Sequence, residues 1–349
     1  MSSSFDINTL FGVKDLVAVV TGGGSGLGSV ISRALATNGA KRVYILGRRL
    51  NALHETASTH PEIIVPIVAD VTDPTSLTAA ADRIREEIGY VDFLVAGAGM
   101  VYLHPPAAPA PGPAPAPTTS TADASDGSGD GAGQGTGGLS LSSGKIQVGR
   151  TLPPSPTAPQ VESFLLATTP DEFLTSYRVN TMGVFYTIAA FTSLLDAGNN
   201  RQGEHDPVCA SATTQREQKE PTAINVQRKS HVVAIASVSG QNNNATGGCA
   251  YGMSKAAVIQ LMGQMMRVLA PLGIRVNTLS PGVFPSNLAG TPANYAMTAE
   301  GTFPTELIPL RRAGTDQEMA GTILYLASRA GGYVNGHVLV VDGGNLGYR

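Results

Sequence analysis

Tyr251 and Lys255 stand four residues apart in Tyr251-Gly252-Met253-Ser254-Lys255, a spacing that puts a phenol and an ammonium on one face of a helix. An ammonium beside a phenol favours the phenolate, so the pair could move a proton near neutral pH. That is chemistry suited to a carbonyl. Some 230 residues upstream, Thr21-Gly22-Gly23-Gly24-Ser25-Gly26-Leu27-Gly28 follows the apolar run Leu16-Val17-Ala18-Val19-Val20 and precedes a helical pattern. A strand, a glycine turn and a helix N-terminus in this order make a site for a nucleotide phosphate. Gly22, Gly26 and Gly28 are spaced G-x-x-x-G-x-G. One glycine permits the tight turn, one lets the backbone approach a pyrophosphate, and one lets the helix pack on the sheet. A P-loop is excluded, because its lysine position counted from Gly23 holds Ser29. Taken alone, the turn is also compatible with an ordinary glycine-rich loop.

The second apolar run ends Ile45-Leu46-Gly47-Arg48-Arg49. An acid about 20 residues after the glycine turn would hold ribose hydroxyls, whereas an arginine accommodates a 2′-phosphate. No acid is present, and Arg48 stands in the place. Arg49 is either a second phosphate contact or a surface residue. Asp70-Val71, after the third run, reads as a loop cap or as a contact for an adenine amino group.

The elements that must position these residues alternate between apolar runs and helical stretches, the pattern of a parallel sheet covered on both faces. Strands are predicted at 16–20, Val43 to Leu46, Ile63 to Val68, Phe93 to Val95, His231 to Ala236, Arg275 to Leu279 and Val338 to Val341. Helices are predicted near 27–38, 49–58, 75–88, 170–196, 249–271 and 316–327, the last opening acidically with Asp316-Gln317-Glu318. Two stretches break the alternation. From about 103 to 160 the chain is Pro/Ala, then Ser/Gly/Asp, then Pro/Ser/Thr, and cannot bury enough apolar surface to offset its ordering entropy. It reads as disordered. From about 199 to 229 the composition is that of a solvated polar loop. Without both stretches about 260 residues remain, the size of a single α/β domain.

Composition narrows the function classes. A net charge of -3 gives no electrostatic case for nucleic acid or an anionic membrane. The two cysteines, Cys209 and Cys249, make neither a disulfide framework nor a zinc set, and a reducing, cytoplasmic setting is the natural expectation. Cys249 is expected to line the site as a small side chain, since no His nearby in sequence could activate it. The six histidines make no metal-spaced pair, so no metal is expected. No secretory signal or membrane-spanning run is visible.

Taken jointly, these residues resemble the short-chain dehydrogenase/reductase family over nearly all of the chain outside the two inserts. The resemblance is carried by Thr21 to Gly28, Asp70-Val71, Ala96-Gly97-Ala98-Gly99, Asn180, Ile235-Ala236-Ser237-Val238-Ser239-Gly240, Tyr251 to Lys255, Pro281-Gly282 and Val341-Asp342-Gly343-Gly344. A lone Tyr-x-x-x-Lys is common by chance. Its occurrence fourteen residues after Ser237, with a glycine turn near the N-terminus, is specific.

The resemblance implies one Rossmann-like three-layer α/β domain over 1–349, with a parallel sheet of about seven strands, and a catalytic tetrad. In it Tyr251 is the general acid/base, Ser237 holds the substrate oxygen, Lys255 lowers the tyrosine pKa and binds the nicotinamide ribose, and Asn180 holds a relay water. Ser239 is an alternative hydroxyl. The cofactor would lie on Gly22, Ser25, Gly26, Leu27, Gly28, Arg48, Asp70, Val71, Ala98, Gly99, Tyr251, Lys255, Gly282, Val283 and Ser286. NADP(H) is the preferred cofactor and NAD(H) a possible one. The substrate would be a small carbonyl or alcohol, and the protein a homodimer or homotetramer. Phe284 to Pro309 falls where the family carries a substrate lid, and Tyr295, Met297 and Phe303 could line an apolar pocket or simply pack. The family's usual Asn-Asn-Ala-Gly is Ala96-Gly97-Ala98-Gly99 here, which removes amides that brace the central strand. Two other readings stay open: an epimerase or dehydratase using the same Tyr/Lys pair, and a non-catalytic dinucleotide-binding scaffold or sensor.

Overall fold

The computed structural model describes residues 5–101, 140–142, 145–147, 155–204, 228–243, 248–285 and 296–347. Its centre is a seven-stranded parallel sheet: β1 (Val17–Thr21), β2 (Arg42–Gly47), β3 (Ile64–Val68), β4 (Phe93–Ala96), β7 (His231–Ile235), β8 (Arg275–Pro281) and β9 (Val338–Val341). The spatial order is β3-β2-β1-β4-β7-β8-β9. Chain direction across the sheet therefore reverses between β1 and β4, and a crevice opens there beyond the carboxyl ends of the strands.

The alternation of strand side chains divides the core. Val17 and Val19 face one layer and Ala18 and Val20 the other. On the first face lie α4 (Pro74–Glu87), α7 (Gly183–Glu204) and α8 (Cys249–Leu269), contributing Leu77, Ile84, Phe191, Leu195, Val258 and Met262. On the second lie α2 (Gly26–Thr37), α3 (Leu50–Ala57) and α9 (Asp316–Ala327), contributing Ile31, Leu35, Leu53, Met319 and Ile323. Burial on both faces is why the strands read as unbroken apolar runs. The acidic start of α9 is a capping box, in which Thr315 and Glu318 satisfy each other's backbone N–H groups.

The long helix predicted at 170–196 differs. It is α6 (Pro170–Tyr177), a π-helical turn over Arg178–Met182, and α7, which runs on to Glu204. The start of the expected polar loop at 199 is thus helical. Asn199 is buried, accepting from Ser230 N at 2.7 Å and donating to Leu272 O at 2.9 Å, and Arg201 pairs with buried Asp92 at 3.1 Å. These polar residues are anchors between elements. Within 103–160 the described residues form a short antiparallel hairpin, β5 (Ser140–Ser142) with β6 (Lys145–Gln147), and the first residues of α5 (Ala158–Leu166). The rest of that stretch, and 205–227 of the other, lie outside the described residues.

Candidate active site

The glycine turn joins β1 to α2 as tightly as a backbone allows. A Cβ on Gly28 would stand 2.2 Å from Gly22 O, and one on Gly22, whose φ is +73°, would meet the Ala98 backbone at 2.9 Å. Ser25 is the N-cap of α2 but makes no side-chain capping bond, leaving the first-turn N–H groups facing the crevice. This is a cradle for a phosphate pair, so the residues fit a dinucleotide. Arg49 Nη2 donates to Ser25 Oγ at 3.1 Å, drawing that arginine over the turn. Asp70 serves as a loop cap, its carboxylate accepting from Thr72 N and Thr72 Oγ1 at 2.9 and 2.8 Å. Burial works to raise the Asp70 pKa, but these bonds, aided by Arg48, outweigh it and hold the group below the usual range.

The strand end that lacks the family's amides is braced from elsewhere. Thr21 Oγ1 accepts from Gly97 N at 3.1 Å and Ala98 N at 3.3 Å. Asn180 clamps Met100, two residues further on, from both sides: its Oδ1 accepts from Met100 N at 2.8 Å, and its Nδ2 donates to Met100 O at 2.9 Å. The same Nδ2 donates to Ser254 Oγ at 3.0 Å, and that hydroxyl donates to Tyr251 O at 2.7 Å. Asn180 is fully buried and its side-chain amide is committed to these groups. It enters through the π-helical turn, and it lies beneath the cavity wall instead of lining it. The side chain of Asn180 is therefore a brace, and a relay water would have to be held by some other part of the residue.

Ser237 caps a 3-10 turn over Val238–Gly240 and accepts from Ser239 N at 3.1 Å. That turn presses on α8 so closely that a Cβ on Gly240 would lie 2.6 Å from the backbone at Lys255 and Ala256. This packing brings the Ser237 hydroxyl to the Tyr251 phenol, where it works to lower the tyrosine pKa. Lys255 Nζ donates to Ile235 O at 2.9 Å and lies 5.8 Å from the centre of the Tyr251 ring. Gly99 leaves room for it, since a Cβ there would approach Lys255 Nζ at 3.1 Å and Asn180 Oδ1 at 3.3 Å.

The electrostatics differ from the expectation for this pair. Burial raises the Tyr251 pKa, opposed by the Ser237 hydroxyl, and burial alone pushes Lys255 down to about 8. The low-dielectric surroundings disfavour both charged forms, and this effect exceeds any lowering of the phenol by the ammonium. The surroundings thus favour the neutral forms of both groups.

One cavity of about 570 Å³ joins these parts. It takes in the glycine turn with Ser25 and Leu27, the Arg48–Arg49 end of β2, Asp70 and Val71, Ala98 and Gly99, then Ser237, Ser239, Tyr251 and Lys255, and finally Gly282 and Val283. Ser286 and Tyr295 lie outside the described residues. Met297 and Phe303 do not line the cavity; with Ile308 and Ala313 they form a small buried cluster. Their place on the wall is taken by Phe284 and Leu307. Cys249 begins α8 with a free thiol and is not part of the lining. Asn345, beyond the last strand, is on the wall and was not singled out, since nothing local in the sequence ties that residue to Leu307. Among the described residues no group of His, Cys, Asp and Glu could hold a metal, and no helix is long and apolar enough to cross a membrane.

A parallel sheet with this strand order, a glycine cradle at its switch point and a Ser/Tyr/Lys constellation beside it define a dinucleotide-binding oxidoreductase. The chain matches the short chain dehydrogenase family model over residues 16–113 and the enoyl-(acyl carrier protein) reductase model over 208–345. It is 35% identical to the short-chain dehydrogenase/reductase VdtF of Byssochlamys spectabilis, covering 97% of this chain and 94% of that protein. It is 34% identical to the short-chain dehydrogenase/reductase SAT3 of Stachybotrys chartarum, covering 90% and 97%. Among solved structures it resembles a short-chain type dehydrogenase/reductase from Mycobacterium marinum, with 25% identity, a TM-score of 0.65, and 97% and 99% of the two chains covered. The RhlG/NADP active-site complex of Pseudomonas aeruginosa, 24% identical with a TM-score of 0.63 and 97% and 99% covered, shares the fold. The chain belongs to the short-chain dehydrogenase/reductase family, whose members bind NAD or NADP, and is an oxidoreductase.

Proposed function

We propose that this protein interconverts a carbonyl and a secondary alcohol with NADP(H) as preferred cofactor and Tyr251 as general acid/base. The observation that carries the reading is that Ser237, Tyr251 and Lys255 line the same cavity as the glycine turn. When bound, the nicotinamide supplies or accepts the hydride. The chain's own groups do the rest. The α2 N-terminus and the glycine turn hold the pyrophosphate, and Arg48, with Arg49 over Ser25, takes the adenosine 2′-phosphate. Lys255, held by Ile235 O, reaches the nicotinamide ribose, and Gly282 and Val283 border the nicotinamide end. Ser237 donates to the substrate oxygen, and Tyr251 gives its proton to that oxygen as it becomes an alkoxide. In the reverse direction the deprotonated Tyr251 oxygen takes the proton from the alcohol.

The preference for NADP(H) is supported by Arg48 on the cavity wall and by Gly47, which offers no carboxylate to repel a phosphate. Exposed apolar side chains at Met182, Phe185 and Met253, on the neighbouring α6–α7 turn, α7 and α8, support a homo-oligomer. The low cysteine count supports a cytoplasmic setting.

Removing only the hydroxyl tests the assignment. Tyr251→Phe keeps the ring in place, so NADPH affinity measured by fluorescence titration should stay near wild type. Turnover of a ketone found by screening with NADPH should fall by at least about 10²-fold, the lower end of what a positioned proton donor contributes. Wild-type turnover in that variant would rule Tyr251 out as the proton donor.

A further inference from the structure

The C-terminal turn after β9 is built to grip the segment that walls the substrate side of the cavity. Asp342 folds the turn by accepting from Gly344 N at 2.8 Å and Leu346 N at 2.6 Å, with Gly343 and Gly344 at φ +64° and +89°. Two bonds then cross to the neighbouring segment. Leu310 N donates to Gly343 O at 3.1 Å, and Asn345 Nδ2 donates to Leu307 O. On its far side the segment is tied by Gly314 N to Val283 O at 2.9 Å. Between these ties the buried Met297, Phe303, Ile308 and Ala313 fill its inside. The turn also abuts the cofactor end, because a Cβ on Gly282 would lie 2.7 Å from Asp342 Cβ.

We infer that Asn345 is a positioning residue for substrate binding: through its amide donor it fixes Leu307, and so sets the width of the substrate side of the cavity. The inference rests on reading this cavity as the active site. Asn345 and Leu307 both line it, and Asn345 is only 6% exposed, so its bond to Leu307 O is sheltered from competing water. Asn345 contacts none of Ser237, Tyr251 and Lys255 among its hydrogen bonds. Its loss should therefore act on KM and leave the proton-transfer step alone.

Asn345→Asp is the informative change, since a carboxylate of the same shape cannot donate to Leu307 O and its charge opposes that carbonyl. With a screened ketone and NADPH, KM should rise by about three- to tenfold, the range of one hydrogen bond, while kcat and NADPH affinity stay within about twofold. Asn345→Ala should show the same split. Amide hydrogen exchange over 303–314 should quicken in both variants and stay unchanged in β1 and β4. An unchanged KM, a loss confined to kcat, unaltered exchange over 303–314, or loss of cooperative unfolding in both variants would each overturn the inference. If wild-type protein reduces no ketone, the functional reading fails by that result, and the exchange measurement still decides whether Asn345 holds Leu307.

Discussion

Asn180 Nδ2 stands 3.0 Å from Ser254 Oγ, and this hydroxyl passes the contact on, donating to the Tyr251 carbonyl at 2.7 Å. Because the same amide holds Met100, one chain of hydrogen bonds fixes the height of α8 relative to the loop after β4. Lys255, next to Ser254, is carried by the same arrangement. The identity of residue 254 therefore bears on chemistry performed by its neighbours.

Ser254→Ala should interrupt this chain and leave a buried Asn180 N–H without its second acceptor. The expected cost is about 1–3 kcal/mol of stability, the usual penalty for an orphaned buried donor. Turnover should drop severalfold as Tyr251 loses its fixed height, with NADPH affinity nearly unchanged. Denaturant unfolding and steady-state kinetics check both. A stability loss with full turnover would mean that Ser254 serves the fold and not the positioning of Tyr251.

The glycine turn permits a sharper test. In Gly28→Ala the new methyl would lie 2.2 Å from Gly22 O and 2.7 Å from Gly22 C, so α2 must move off the turn. Neither neighbour is a flexible side chain. Cofactor binding should be lost by calorimetry, and the melting temperature should fall. Gly321→Ala, at a glycine with nothing within 4 Å of its would-be Cβ, should leave both unchanged.

Much of this was legible in the sequence because apolar runs buried on both faces are read without tertiary knowledge. All seven sheet strands fall within a residue or two of their expected bounds, and the glycine turn, Ser237, Tyr251 and Lys255 converge on one cavity. What was not legible depends on distant partners. The π-helical turn at Arg178–Met182 has no local signature, yet it turns Asn180 inward. Asn199 and Arg201 looked like loop residues by composition, because their partners Ser230 and Asp92 lie far away in the chain. For Met297 and Phe303 residue type leaves pocket lining and packing both open, and the fold of residues 296–314 directs them into their own small core.

Lys255 should make stability depend on pH. Its pKa lies near 8 in the folded chain against 10.5 in water. Below pH 8 both folded and unfolded chains carry the proton, and the full burial penalty, about 3 kcal/mol, weighs on the fold. From pH 8 to 10.5 the folded chain releases its proton first, and the penalty fades. Lys255→Met, lacking the charge, should raise the melting temperature of the apoprotein near neutrality while abolishing turnover. The difference from wild type should shrink toward pH 10. A gap that does not narrow over this range would show that Lys255 is not held against its charge.

Cofactor choice should follow Arg48. A guanidinium on the wall beside the Gly47 end of β2 can bond a 2′-phosphate with charge assistance, and no acid at Gly47 competes for the ribose hydroxyls. NADPH should therefore bind more tightly than NADH. Arg48→Ala should weaken NADPH by about 1.5–3 kcal/mol and leave NADH nearly unchanged. Arg49 supplies the internal comparison, because its Nη2 is engaged with Ser25 Oγ at 3.1 Å and must leave or share that bond to reach a phosphate. Arg49→Ala should thus cost less than Arg48→Ala. If fluorescence titration gave wild-type protein equal affinities for the two cofactors, Arg48 would have no phosphate to recognise, and the preference for NADP(H) would fall with it.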